Sequence, residues 1–160
     1  MPDIALALAI HVVAVVLWIG GVGVVATVLM PAIGRSRPPE ERFAAFHALE
    51  HRFAHQARIT TILAGASGLY MTWRLNAWSW FQSAATWWMP AMALIWLIFT
   101  LMLFVIEPWF LERWLARRAP TDQAAAFLWF QRLHHVLLGL SLLTIAGAVA
   151  GVNGVNLFRW

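Results

Sequence analysis

The chain has 160 residues, of which 62% are hydrophobic and only 11% are charged, whereas a soluble domain has about a quarter charged residues. It contains no cysteine, which excludes disulfides, cysteine-ligated zinc, iron–sulfur clusters and thiol catalysis. The net charge of +4 comes from arginine, and the aromatic residues lie inside apolar runs, so nucleic acid is not an expected partner. This composition predicts one all-α membrane domain over residues 1–160.

Four apolar stretches are long enough to cross a bilayer, which takes about 20 residues of helix. They cover approximately residues 4–30, 54–73, 87–106 and 133–152. Pro31 is predicted to end the first stretch, and Glu107 with Pro108 the third. Polar but helix-compatible sequence precedes the second and fourth stretches, so both helices are expected to continue beyond the membrane. We therefore predict an integral membrane four-helix bundle surrounded by the lipid bilayer.

Arginine predicts the orientation of this bundle. The connections after the first and third stretches carry six arginines: Arg35, Arg37, Arg42, Arg113, Arg117 and Arg118. The other side of the membrane has only Arg74 and Arg159. Because arginine-rich loops stay in the cytoplasm, both termini are expected outside and the basic loops in the cytoplasm.

Histidines near the predicted inner surface form the first candidate site. Ionisable residues within apolar helices indicate function, and imidazole is a common haem ligand. At about 1.5 Å rise per residue, His55 lies level with the His134/His135 pair. A haem between helices needs two axial ligands at one depth, which His51 or His55 could supply together with His134 or His135. Adjacent helical residues point about 100° apart, so at most one of that pair faces a given ring.

Arg58 and His11 add a possible haem-propionate partner and a possible second site to this hypothesis. Arg58 continues the helical face of His51 and His55 and could pair with a haem propionate. His11 lies roughly 15 Å nearer the outer surface, on a face of mostly small residues. Met92 is at a similar depth, so His11 with Met89 and Met92 would suit a second haem or Cu(I). The pattern of the two methionines is more typical of ordinary packing residues.

Three segments resemble the CopD-like and HemJ-like families of small bacterial four-helix membrane proteins. AIHVVAVVLWIGG, followed by VLMPAI, resembles their first helix; FHALEHRFAHQARITTILAGASGLYM resembles their second, and FLWFQRLHHVLLGLSLLTIAG their last. The HemJ-like branch implies a b-type haem and oxidation of protoporphyrinogen, and His11 matches its first-helix histidine. The CopD-like branch implies copper handling and includes haem-binding members. The resemblance implies a multi-pass protein of the bacterial inner membrane.

The leading hypothesis is a membrane b-type cytochrome, a haem-dependent oxidoreductase that exchanges electrons with a quinone or a small redox partner. It would hold one haem b near the inner surface, with a second conceivable at His11; a porphyrin is the alternative substrate. Copper binding or transport through His11, Met89 and Met92 is the alternative function. A structural subunit whose histidines only pack also remains open, as does a homo-oligomer.

Overall fold

The computed structural model describes residues 2–111 and 120–155, without the side chains of residues 51, 52, 108–111 and 120–123. Within these residues the chain is helical and contains no strand. The long α-helices are α1 (Pro2–Val24), α2 (Met30–Ser36), α3 (Arg42–Arg74), α4 (Trp88–Leu101) and α5 (Pro120–Val152). Two π-helical segments, Val25–Leu29 and Met102–Leu111, continue α1 and α4, and 3₁₀ turns cover Pro39–Glu41, Ala77–Gln82 and Ala84–Thr86.

The first and third predicted spans do not end at their prolines. The helix of α1 passes Pro31 and continues to Ser36, and that of α4 continues through Glu107 to Leu111. A proline cannot donate to the carbonyl four residues earlier. In both places the helix widens to the π form instead of stopping, which accommodates the missing hydrogen bond.

The expected extensions of the second and fourth helices are confirmed. Both α3 and α5 are 33 residues long and include the polar sequence that precedes each apolar stretch. Three described helices are long and apolar enough to cross a membrane: Pro2–Ser36, Trp88–Glu107 and Ala124–Val152. The predicted second span, within α3, is more polar, because it carries Arg58, Thr60, Thr61 and Ser67.

Four of the long helices share one apolar core. It is built from Ala14, Trp18, Ile19 and Val22 of α1, Ala64 of α3, Ile95 and Phe99 of α4, and Leu137 of α5. Trp18 packs edge-on against Phe99, with 5.0 Å between ring centroids. A second cluster at the arginine-rich end joins α2 to the first turns of α3 and to α5 through Met30, Phe43, Phe46 and Phe127.

Large apolar side chains cover the outside of the molecule. Leu6 and Val16 on α1 are each 63% exposed, and Leu143 on α5 is 59% exposed. Soluble monomers rarely display continuous apolar surface of this kind. The exposed surface therefore indicates a lipid bilayer as the surroundings, which confirms the prediction of a membrane protein.

Close helix approaches depend on glycine beside tryptophan. A Cβ added to Gly65 would lie 2.5 Å from the Trp96 indole, and one added to Gly151 would lie 2.5 Å from that of Trp88. The Trp96 Nε1–H donates to the Thr61 carbonyl of α3 at 2.9 Å. These contacts fix α4 against α3 and α5, and so set which residues face the interior.

Candidate functional site

A cavity lies between α1, α3, the π-helical continuation of α4, and α5. We name it the Glu50 cavity. Its walls are mostly apolar, and its polar lining side chains are Trp18, Glu50, Gln56, Glu107 and His134. Its volume is about 80 Å³, which corresponds to about six water molecules. That space is smaller than a porphyrin, and it is also smaller than the roughly 150 Å³ of a cavity known to hold benzene, so a ring would enter only with movement of the lining side chains.

Two buried polar atoms in this cavity have no hydrogen-bond partner among the described residues. They are Nε1 of Trp18, whose side chain is only 6% exposed, and Oε2 of Glu50. Buried polar atoms are nearly always hydrogen-bonded in folded proteins, and leaving one unpaired costs about 1–3 kcal/mol. Both residues line the Glu50 cavity, where water or a ligand can supply the missing partners.

Glu50 is held in its neutral form at pH 7. Burial, and after it the negative charge of Glu107, raises the pKa of Glu50 to about 8, while the positive charge of Arg58 opposes that rise. A protonated carboxyl group can donate a hydrogen bond. The cavity therefore contains a carboxylic acid rather than a carboxylate at neutral pH.

Arg58 forms an ion pair at the edge of the cavity. Its guanidinium lies 3.2 Å from Oε1 of Glu107, and its Nε–H donates to the Leu103 carbonyl at 3.2 Å. That carbonyl belongs to the π-helical segment, where the regular hydrogen-bond ladder is interrupted. The interactions that the structure gives Arg58 are thus within the protein, and they neutralise the charge of Glu107.

His134 and His135 point in different directions. His134 is buried and lines the cavity, whereas His135 is exposed. The Nδ1 atom of His134 lies 2.9 Å from the Phe130 carbonyl, which can only accept, so Nδ1 carries the proton and Nε2 keeps its lone pair. His135 makes the equivalent bond to the Gln131 carbonyl at 2.7 Å. The 100° offset between neighbours thus makes His134 the cavity histidine.

His55, predicted on α3 as a partner of His134, does not face the cavity. His55 is exposed and does not line the cavity, because α3 presents Glu50, Ala54 and Ala57 to it instead. The side chain of His51 lies outside the described residues. One described histidine therefore faces this cavity, where a bis-histidine haem requires two.

His11 packs against α3. Its Nδ1 lies 2.9 Å from the Ala64 carbonyl and 3.1 Å from the Ser67 hydroxyl. A Cβ on Gly68 would lie 3.2 Å from its Cε1, so the imidazole occupies the space that this glycine leaves. Met89 and Met92 are half-buried on α4. The contacts that position His11 thus involve α3 rather than these methionines.

The described residues do not fit a haem as the structure stands. The Glu50 cavity offers one histidine and too little space, and His11 is packed into the α1–α3 contact. Among the described side chains there is also no cluster of three histidine, aspartate or glutamate residues placed to hold a metal ion. Binding of haem or copper therefore stays a prediction from the sequence.

Sequence reasoning did not identify Glu50 and Trp18 as site residues. Glu50 lies in the polar first part of α3, which resembles a solvated helix end in the sequence, and Trp18 lies within the apolar run of α1. The available signal was spacing, because Glu50, Ala54 and Ala57 recur at helical intervals and place one carboxyl among small residues. This spacing identifies a site only when α1 is known to pack against the same face of α3.

Comparisons with known proteins do not place the chain in a family. No family model, no curated protein and no solved structure matches it. The resemblance to the CopD-like and HemJ-like families therefore stays a prediction. The geometry of the Glu50 cavity is therefore the basis for a functional hypothesis.

Proposed function

We propose that this protein binds the ring headgroup of a lipid-soluble quinone in the Glu50 cavity and serves in membrane electron transfer. The observation that carries the proposal is the pair of unpartnered buried groups, Trp18 Nε1 and Glu50 Oε2, in one small cavity with mostly apolar walls. A quinone ring is flat, apolar on its faces and carries carbonyl oxygens that accept hydrogen bonds. These properties complement the cavity group by group.

The mouth of the cavity supports entry from the lipid. Three exposed lining residues are apolar: Leu17 on α1, Phe53 on α3 and Ile106 on the π-helical segment, at 47%, 37% and 45% exposure. Gln56 on α3 is an exposed polar residue of the same lining. A carrier with a long hydrocarbon tail would place its ring inside and leave the tail among lipid chains.

The proposal includes a four-span arrangement in the bacterial inner membrane. In it α3 is the fourth crossing helix, with both termini outside and the loop that carries Arg35 and Arg37 in the cytoplasm. Two hydroxyls within α3 are already bonded to its own backbone: Thr60 to the Gln56 carbonyl at 3.0 Å and Thr72 to that of Gly68 at 2.9 Å. A helix so satisfied is tolerated between apolar neighbours.

Haem b is the second candidate, favoured by the position of His134. Metal-ligating histidines nearly always donate their other ring N–H to a carbonyl or a carboxylate, as His134 Nδ1 does to Phe130. Because the cavity is too small as it stands and presents one described histidine, the helices would have to move apart to admit a haem. Expression with added haem and an absorption spectrum decide this candidate: a preparation without a Soret band contradicts it.

Quinone binding is tested with the full chain in lipid nanodiscs and a short-chain benzoquinone. We expect saturable binding above that of protein-free nanodiscs, measured by depletion of free quinone. Leu17→Trp should abolish most of it by filling the mouth, while Leu6→Trp, at an equally lipid-exposed site on α1, should not. Binding no greater than in protein-free nanodiscs would overturn the proposal.

A further inference from the structure

The face of α5 that points away from the other helices carries charge as well as apolar surface. The opposite face is packed, with Phe127 and Leu137 buried in the two apolar clusters. On the outer face Trp129 is 59% exposed, and Arg132 and His135 are exposed as well. Because residues three apart are neighbours on a helix surface, these three side chains form one surface, which we name the Arg132 patch.

Arg132 has no partner among the described residues. Arg37, Arg58 and Arg74 form ion pairs within the protein, whereas no described side chain or carbonyl pairs with the Arg132 guanidinium. A guanidinium presents five N–H donors in a planar fork that matches phosphate and carboxylate oxygens. The chemistry of the patch therefore favours an anion from outside the described residues.

The position of Arg132 along α5 corresponds to the depth of lipid phosphates. The helix from Arg132 to its end at Val152 is about 30 Å long at a rise of about 1.5 Å per residue. This length equals the thickness of the hydrocarbon core of a bilayer. When Val152 lies at one boundary of that core, Arg132 lies at the other, and an exposed tryptophan such as Trp129 is typical of this boundary.

The same face of α5 changes from polar to apolar towards the hydrocarbon. The Nδ1–H of His135 donates to the Gln131 carbonyl at 2.7 Å, so Nε2 is the ring nitrogen left for an outside group. Beyond it, a Cβ added to Gly139 would have no atom within 4 Å, and Leu143 is exposed. A phospholipid changes in the same direction, from its headgroup to its acyl chains.

We propose that the Arg132 patch binds an anionic phospholipid, with the lipid phosphate on the Arg132 guanidinium and an acyl chain along α5 past Gly139. Charge complementarity favours this occupant. A second copy of the chain, packed two-fold through this face, would bring two Arg132 side chains of like charge together. A zwitterionic phospholipid brings a positive group beside its phosphate. The patch is separate from the Glu50 cavity, so the proposal does not depend on quinone binding.

The test is native mass spectrometry of the full chain released from nanodiscs that contain equal amounts of phosphatidylglycerol and phosphatidylcholine. The wild-type chain should retain phosphatidylglycerol in preference. Arg132→Gln should lower that preference by roughly 5-fold, the usual contribution of one arginine at an anionic membrane surface. Arg132→Lys keeps the charge and should keep most of the preference. Added inorganic phosphate should not displace the lipid, because it has no acyl chain.

The matched control is Arg35→Gln. Arg35 is an exposed arginine at the same end of the molecule, and its substitution changes the net charge equally, so the lipid preference should stay at the wild-type value. Equal retention of the two lipids by the wild-type chain, or equal losses in Arg35→Gln and Arg132→Gln, would overturn the proposal. Displacement by inorganic phosphate, or release as a dimer without bound lipid, would also overturn it.

Discussion

Glu50 shows how one residue acquires a chemical role from its surroundings. By sequence it is an ordinary glutamate in the polar part of a helix. Its side chain nevertheless enters the space between α1 and α5, where burial and Glu107 favour the neutral form. A neutral carboxylic acid and an indole N–H that line one cavity can each donate a hydrogen bond to a ligand there.

The stability of the protein should report this buried acid. The fold raises the pKa of Glu50 from 4.5 to about 8, so the folded state binds a proton that the unfolded state has released. The stabilisation linked to that proton is fully present below about pH 4.5 and is lost as pH rises through 8. Thermal unfolding in mild detergent should therefore show a Tm that falls between pH 5 and pH 9.

Glu50→Gln isolates this contribution. It should flatten the fall of Tm with pH and raise Tm at pH 9 relative to the wild-type chain, because glutamine carries no charge to bury. Glu40→Gln, at an exposed position, should follow the wild-type curve. A pH profile of Glu50→Gln that coincides with the wild-type profile would show that position 50 is not a buried acid.

At the scale of the helices, the sequence predicts how long each helix is better than it predicts which face of the helix turns inward. Apolar runs and helix-compatible polar stretches correctly predict α3 and α5 over their full lengths. The prediction that Pro31 ends the first helix is wrong, because a π-helical segment allows the helix to continue past this proline. Which face of a helix turns inward depends on packing partners: His55 is exposed while Ala54 beside it is buried, and residue spacing alone does not distinguish the two.

The α3–α4 contact should be sensitive to a single methyl group. A Cβ at Gly65 would lie 2.5 Å from the Trp96 indole, whose N–H is fixed to Thr61. Because overpacking of a tight contact costs about 1–3 kcal/mol, Gly65→Ala should lower Tm. Gly20→Ala adds its methyl to open space on α1 and should leave Tm unchanged or raise it; equal effects of the two would contradict the close packing.

At the scale of the whole molecule, an apolar exterior surrounds a small polar interior. Composition alone predicts this membrane character, since so apolar a chain has no soluble alternative. Arginine placement predicts the orientation, but the interior site emerges only when α1, α3, α4 and α5 are assembled. Residues distant in sequence, such as Trp18, Glu50 and His134, meet there, and none of them forms a recognisable motif with the others.

The absence of cysteine makes the orientation directly measurable. Glu40→Cys places a single thiol before α3, and Ser83→Cys places one between the two 3₁₀ turns that precede α4. Both positions are exposed. With a membrane-impermeant maleimide on intact cells whose outer membrane is permeable to it, Ser83→Cys should be labelled. Glu40→Cys should react only after the inner membrane is opened. The reverse pattern would contradict the proposed topology.

The most direct measurement of the central claim is photolabelling with an azido-benzoquinone in nanodiscs, followed by peptide mapping. We expect adducts on the cavity-lining segments of α1 and α3, around Leu17–Val25 and Phe53–Ala57. Excess unlabelled quinone should suppress them, and Leu17→Trp should abolish them. Adducts confined to lipid-facing residues elsewhere, or labelling that excess quinone does not reduce, would show that the Glu50 cavity is not a quinone site.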